Sequence, residues 1–171
     1  SWLPLYHDMG LIGCIVPAVL RPGPLNLIPP EIFLARPAIW LRTISRYRGT
    51  LSPAPDFAYG LCVQKIRDEE MEGCDLGSWR LAMNGAESVS ATRAAKFIDR
   101  FGKWGFRPQA MLPVYGLSEA SLAVTFSDPN DQLKSVLLDA GALAEGRVEI
   151  SNSDEGETTR ITSVGRPLRG F

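Results

Sequence analysis

Charge of one sign is what this chain most plainly lacks. Its 18 basic and 19 acidic side chains leave a formal net charge of −1 across 171 residues. That is no electrostatic footprint for nucleic acid, and no basic run offers itself to an anionic membrane. Long apolar runs are missing too. The longest, Met9 to Leu20, falls short of the roughly 18 to 20 residues that span a bilayer, and Arg21-Pro22-Gly23-Pro24 closes it. No transmembrane segment and no signal peptide are expected. Cysteine is scarce. Cys14, Cys62 and Cys74 are widely spaced and odd in number, which suits neither a disulfide framework nor a metal cluster. Free thiols of this kind fit the reducing cytoplasm. Histidine occurs once, at His7. An initiator methionine is absent: the chain starts at Ser1 inside an apolar pattern and stops at Phe171 just after a turn. A piece of a larger enzyme is therefore expected.

What is there suffices for one domain with a real core. Trp2 to Leu5 reads as a short strand. Asp8 is placed to cap a mostly apolar helix from Met9 to Leu20. Leu25 to Ile28 reads as a second strand between prolines. Pro37 fits the first turn of a helix running to about Arg48. Its apolar stripe is Trp40, Leu41, Ile44 and Tyr47, with Arg42, Arg46 and Arg48 towards water. Thr50 to Ser52 reads as a third strand, broken by Pro53 and Pro55, and Asp56 as the cap of a helix from Phe57 to about Ile66. The acidic cluster Asp68-Glu69-Glu70 reads as an exposed loop. Trp79 to Met83 reads as a fourth strand. Ser90 then caps an amphipathic helix with Ala94, Phe97, Ile98 and Phe101 inward, and Arg93, Lys96 and Arg100 outward. Met111 to Val114 is a fifth strand and Leu122 to Phe126 a sixth. Beyond Ser127 come short strands at Val136 to Leu138 and Val148 to Ile150 around a helical turn at Gly141 to Glu145. A polar loop over Ser151 to Thr159 and an edge strand at Arg160 to Val164 follow. The alternation predicts an α/β fold, a mainly parallel sheet with helices on both faces and a short β-rich segment at the C-terminal end.

Three of the predicted strands end alike. Tyr6-His7-Asp8, Asn84-Gly85-Ala86-Glu87 and Tyr115-Gly116-Leu117-Ser118-Glu119 are polar or small, and in a parallel sheet such ends converge on one crevice. The heptad Tyr115 to Ser121 is the richest of them. A ring can stack on a flat base, a glycine admits a ligand to the backbone, a carboxylate can hold Mg²⁺, and hydroxyls can bond phosphate oxygens. Read alone, it is equally a strand-to-loop junction with a packed tyrosine and a solvated glutamate. Three such ends together suggest a nucleotide-sized site. A lone His beside an Asp is more often a structural pair, but His7 sits between a strand end and a helix start.

These stretches resemble core motifs of the adenylate-forming enzymes. Pro4 to Leu11, Trp79 to Glu87 and Tyr115 to Ser121 are most similar to those of the fatty acyl-AMP ligases. The likeness extends through Arg36 to Tyr59 and to Val164-Gly165-Arg166-Pro167-Leu168. It implies that residues 1–126 are part of the α/β core of an adenylation domain, 127–163 an insertion-like segment, and 164–171 the start of the next strand and turn. It implies a fatty acid substrate activated by ATP to acyl-adenylate, with ATP/AMP and Mg²⁺ as cofactors. The acyl group would pass to the thiol of an acyl carrier protein or a polyketide synthase carrier domain. Tyr115 would stack on adenine, and Asn84, Gly85, Ala86 and Glu87 would line its cleft, with backbone carbonyls or the Asn84 amide reading its amino edge. Gly116, Leu117, Ser118 and Ser121 would complete the nucleotide site. Glu119 would hold Mg²⁺. His7 would position the acyl carboxylate, for which a neutral imidazole donating one N–H suffices. Met9, Phe33, Pro55, Phe57 and Ala58 are candidates for an acyl channel, against the plainer reading of core packing.

Departures from the resemblance are few. Ser121 stands where threonine is common, Pro53 to Asp56 replace a more Gly- and Asn-rich version, and Arg169 stands where a second proline is usual. A Gly/Ser/Thr-rich phosphate loop with lysine is absent, and the resemblance places it before Ser1. The ribose-binding Asp, the hinge and the mobile domain with its catalytic lysine would follow Phe171. The 171 residues alone are therefore expected to be inactive. The segment 127–163 implies a carrier acceptor, because in the resembled family it disfavours CoA. The alternatives are a long-chain acyl-CoA ligase and, from another class, an inactive nucleotide- or acyl-binding or interaction module.

Overall fold

The computed structural model describes residues 1–152 and 156–170. Residues 153–155, in the predicted polar loop, and Phe171 lie outside the described residues. Asp56–Lys65 (α5) and Ala91–Gly102 (α6) pack on one another over the central sheet. The reason is local to α6. Ser90 Oγ accepts from the Arg93 N–H at 3.2 Å, as a cap should, and Ala94, Phe97 and Phe101 come round once per turn and are fully buried. Each of those phenylalanines contributes about 1.5–3 kcal/mol by leaving water. They join Trp40, Tyr59, Trp79 and Phe106 in an edge-to-face aromatic core. The polar tips are satisfied, as buried aromatics require. Trp40 Nε1 donates to Ser52 Oγ at 2.9 Å, and the Tyr59 hydroxyl donates to the Met83 carbonyl at 3.1 Å. Burial pushes the Tyr59 hydroxyl and the Cys62 thiol well above their usual pKa values. All three cysteines are free.

The sheet orders as β1 (Ala54–Pro55), β2 (Ala82–Gly85), β3 (Met111–Gly116), β4 (Ala123–Phe126) and β7 (Arg166–Pro167). The first three strands are parallel, and β4 and β7 are antiparallel. The change of direction follows from connection length. A helix carries the chain from β2 to β3, whereas β3 reaches β4 through a tight loop that only an antiparallel partner can close. Thr50 to Ser52 is not the strand expected. Leu51 makes one isolated bridge to Leu81, and the pairing strand is Ala54–Pro55. Trp79 likewise precedes its strand. β5 (Ser135–Asp139) and β6 (Thr158–Thr162) form an antiparallel pair of their own, outside the main sheet, with α7 (Ala140–Ala144) against both. The expected strand at Val148 to Ile150 is only a bridge from Ile150 to Leu138.

Before the sheet come α1 (Asp8–Gly10), a π-helical turn over Leu11–Ile15, and α2 (Val16–Leu20). The π turn has a cause in Pro17, which cannot donate to the Gly13 carbonyl and whose ring crowds it. His7, not Asp8, is the N-cap. The predicted strands Trp2 to Leu5 and Leu25 to Ile28 do not form. The second is an extended segment tied to the first residues by the Ile28 N–H on the Ser1 carbonyl at 2.8 Å. Two further helices are α3 (Pro30–Ala35), which sequence patterning missed, and α4 (Ala38–Tyr47). Tyr47 departs from α4's buried stripe and is exposed, and Asp68–Met71 is a 3₁₀ turn rather than a loop. No helix among the described residues is long and apolar enough to cross a membrane.

Candidate active site

The strand period divides β2 between two faces. Ala82 and Asn84 are buried on the side of α5 and α6. Leu81 and Met83 look the other way, into a cavity of about 490 Å³. Its far wall is the first helix, through Met9, Ile12, Gly13 and Pro17, and its floor continues over Val114, Leu122 and Phe126. The cavity is thus apolar along its length. Its polar end gathers His7, Asp8 and Ser118 beside Tyr115, Gly116 and Leu117.

That end is cross-braced. Ser118 Oγ donates to Asp8 Oδ2 at 2.6 Å, joining residues 110 apart in sequence. Asp8 Oδ1 accepts the Met9 N–H at 2.6 Å and lies 2.7 Å from His7 Nδ1. His7 Nδ1 also accepts from the Met9 N–H at 3.2 Å. The Nδ1 edge of the ring is therefore turned to the helix terminus, where it faces both the Met9 N–H and the Asp8 carboxylate.

Tyr115 is presented by the shape of the strand. A bulge shifts the register between Tyr115 and Gly116 against β4, the kind of irregularity that re-aims a side chain. Gly116 is required there, because a Cβ on it would meet the Leu122 carbonyl oxygen at 1.8 Å. Tyr115 is half exposed, and its ring stacks on no other aromatic ring among the described residues. Tyr115, Gly116, Val114 and Ala86 also border a second cavity of about 600 Å³, closed by Glu87 to Val89 and by residues 159–162 and 164. Two cavities thus meet at Ala86 and Tyr115. Glu119 is exposed in a 3₁₀ turn next to Ser118 and has no ion pair among the described residues. Ser121, also exposed, has φ 67° and ψ −48°.

The structure gathers His7, Met9, Ala86, Tyr115, Gly116, Leu117 and Ser118 on one cavity. Asn84 and Gly85 are buried behind it. The Asn84 amide donates to Asp56 Oδ1 at 2.8 Å, so an adenine amino edge would meet backbone here rather than that amide. Four of the five acyl-channel candidates are elsewhere. Phe33 is fully buried and stacks on Trp2 with centroids 4.0 Å apart, and Ala58 is fully buried in the core. Pro55 ends β1, and Phe57 lies half exposed at the start of α5, its ring edge-on to Trp2. Phe33 and Ala58 belong to the buried core, which Phe57 touches through Trp2. The walls of this cavity are instead formed by Leu81, Met83, Val114 and Phe126. The signal was available in the alternation of Leu81 and Met83 with Ala82 and Asn84. Asp8, Asp56 and Arg93 were read as caps and a solvated side chain, yet each makes contacts between elements.

A family model described as AMP-binding enzyme matches residues 1–168. The 4-hydroxyphenylalkanoate adenylyltransferase of Mycobacterium marinum is 39% identical over 165 residues, 96% of this chain and 26% of that protein. The medium-chain-fatty-acid–[acyl-carrier-protein] ligase JamA of Moorena producens is 38% identical over 173 residues, covering 100% of this chain and 29% of its own length. Among solved structures, the fatty acyl-adenylate ligase from L. pneumophila in complex with acyl adenylate and pyrophosphate superposes with a TM-score of 0.92 at 41% identity, covering 98% of this chain and 29% of that one. The chain therefore spans less than a third of the length of these relatives.

Proposed function

Because the chain belongs to the AMP-binding enzyme family, we propose that the protein carrying it activates a fatty acid with ATP. One carboxylate oxygen attacks the α-phosphorus, the bond to the bridging oxygen of the β-phosphate breaks, and acyl-adenylate and pyrophosphate result. The observation that carries this reading is the 490 Å³ cavity, apolar along its walls and polar where His7 and Ser118 stand beside Tyr115. The acyl tail lies between β2 and the first helix. Its carboxylate comes to His7, whose imidazole can donate one N–H to orient one oxygen while the other stays nucleophilic. The base stacks on the exposed Tyr115 ring against the backbone of Gly85 to Glu87. Ser121 supplies a hydroxyl for a phosphate oxygen, and Ser118 supplies one by turning its O–H from Asp8 to the phosphate.

Mg²⁺ fits this chain in one way. No group of three or more His, Cys, Asp or Glu among the described residues could cage an ion. Magnesium needs no such cage. It is commonly held by one or two carboxylates with substrate phosphates and water, and Glu119, exposed and without an ion pair among the described residues, suits that role. When bound, the ion supplies neutralisation of phosphate charge.

The acceptor we propose is the phosphopantetheine thiol of an acyl carrier protein or carrier domain, with CoA as the competing reading. The separate β5–α7–β6 unit favours the former, as an insertion that limits how the acceptor approaches. A thiol acceptor and three free cysteines suit a cytoplasmic setting. The test uses the full-length protein and a panel of fatty acids, measuring ATP–pyrophosphate exchange and then transfer to carrier protein against CoA. Exchange with fatty acids and transfer to the carrier are expected. Glu119→Gln should cut adenylation by about 10²-fold or more, as loss of one aimed electrostatic group does. Unchanged turnover in that variant removes Glu119 from the metal site.

A further inference from the structure

Behind the site is a buried ionic cluster that the reaction does not touch. Asp56, the first residue of α5, is fully buried. Its Oδ1 accepts from the Asn84 amide on β2 at 2.8 Å, and its Oδ2 pairs with Arg93 of α6. A carboxylate out of water persists only when it is paired and hydrogen-bonded, and here both oxygens are used. The Arg93 side chain reaches it by crossing Gly60, one turn further along α5. A Cβ on Gly60 would meet Arg93 Cδ at 2.7 Å and Nε at 2.8 Å. A second tie runs from the same helix terminus. The Phe57 N–H donates to Glu87 Oε1 at 2.6 Å. The segment from Asn84 to Glu87 is thus fastened at both ends to the first turn of α5. Between the fastenings Ala86 holds φ 66° and borders both cavities.

We propose that Asp56, with Arg93 laid over Gly60, is a positioning residue for nucleotide binding: it fixes the Asn84–Glu87 wall against which the base packs. This rests on the adenylation reading above. Ala86 in a left-handed conformation does not hold itself there, since an L-residue in that region costs about 1–3 kcal/mol unless its surroundings enforce it. The Asp56–Asn84 bond and the Glu87 cap are the enforcing contacts. Of the two, only the Asp56 end is anchored by an ion pair to a third element.

Three variants of the full-length protein test it. Asp56→Ala removes both bonds. Gly60→Ala pushes the guanidinium off Asp56 without altering any charge and adds a better helix former, and cooperative unfolding verifies that it folds. Asp56→Asn keeps an oxygen for the Asn84 amide, while Arg93, 42% exposed in its side chain, turns to water. We expect KM for ATP to rise about tenfold or more in the two alanine variants, because small misplacements of a binding wall are costly. KM for the fatty acid should be unchanged, and Asp56→Asn, which keeps the Asn84 bond but loses the ion pair to Arg93, should fall between wild type and Asp56→Ala. Amide exchange of residues 84–87 should quicken most in Asp56→Ala and less in Gly60→Ala and Asp56→Asn, which keep the Asn84 bond. Unchanged KM for ATP in Gly60→Ala and Asp56→Ala, with only a lower melting temperature, overturns the proposal and leaves the cluster a stability element. If the wild-type protein makes no acyl-adenylate, the functional reading fails. The exchange measurement, which needs no turnover, still decides whether Asp56 fixes this wall, and equal exchange in all variants rejects it.

Discussion

At the scale of single residues, the site holds a strained link that its side-chain chemistry does not advertise. Leu122 N–H donates to the Ala120 carbonyl at 2.9 Å across Ser121, whose φ 67° and ψ −48° close a γ-turn of the unfavourable hand. Such a conformation costs an L-residue about 1–3 kcal/mol, whereas glycine there forfeits only about 0.5–1 kcal/mol of chain entropy. Ser121→Gly should therefore raise unfolding stability by about 1 kcal/mol, read from the denaturant midpoint. Ser121→Ala, which keeps a Cβ and drops the hydroxyl, should leave it unchanged. A destabilised Ser121→Gly would mean that the hydroxyl, not the backbone, carries the stability at this turn. Some of this scale is legible in sequence. Tyr115 and Gly116 are recognisable because an aromatic and a glycine after an apolar strand have few reasons to be adjacent. The direction of the Asn84 amide is not legible. Strand alternation places it on the face of Ala82, but only the fold brings Asp56 and Arg93 to that face.

At the scale of elements, the helices with a complete local code form where they are expected. The code for α6 combines a serine cap, a 3.6-residue apolar period and terminal glycines, and its span follows from them. The short apolar runs fail. Trp2 to Leu5 and Leu25 to Ile28 have strand composition but no sheet edge to pair with, and composition cannot supply one. The C-terminus of α4 shows how an element is finished by residues distant in sequence. Arg48 adopts a left-handed conformation and pairs with Asp75 at 2.5 Å, while Ser45 Oγ accepts the Asp75 N–H at 2.9 Å. The Asp75 carboxyl also accepts from the Gly77 N–H at 2.8 Å, and this bond first, then Arg48, holds its pKa below the ordinary 3.8. A carboxyl whose pKa is depressed by folding stabilises above its unfolded value, and that contribution disappears as pH falls through the folded value. Asp75→Asn should accordingly lose less stability than wild type when the pH is lowered from 7 to 3. Equal losses would show that Asp75 contributes nothing to the acid side of the stability curve.

At the scale of the molecule, the parallel half of the sheet and the antiparallel half have different tasks. Parallel β1 to β3 bring Asn84 to Glu87 and Tyr115 to one edge, where open α/β sheets present ligands. Antiparallel β4 and β7 extend that sheet beyond the ligand edge, and β4 returns Phe126 to the cavity floor. Antiparallel order is legible in the six-residue link between the two apolar runs, which is too short for a parallel crossover, whereas its bulge and γ-turn are not. On the proposed reading the chain supplies an acyl cavity, a stacking ring and a carboxylate for an ion, but its sequence has no lysine-bearing glycine-rich loop, and among the described residues no lysine or arginine lines the cavity. Phosphoryl transfer is limited by charge neutralisation and alignment, and cationic groups on the phosphates contribute factors of about 10³ or more in related chemistry. The 171-residue polypeptide should therefore show no ATP–pyrophosphate exchange under conditions where the full-length protein exchanges readily. Folding of the short polypeptide is verified first by cooperative unfolding, so that silence reflects missing groups rather than a missing fold. Exchange at a rate near that of the full-length protein would place the whole of the catalytic charge inside these residues, and the roles assigned to His7, Ser118 and Glu119 would have to grow to match.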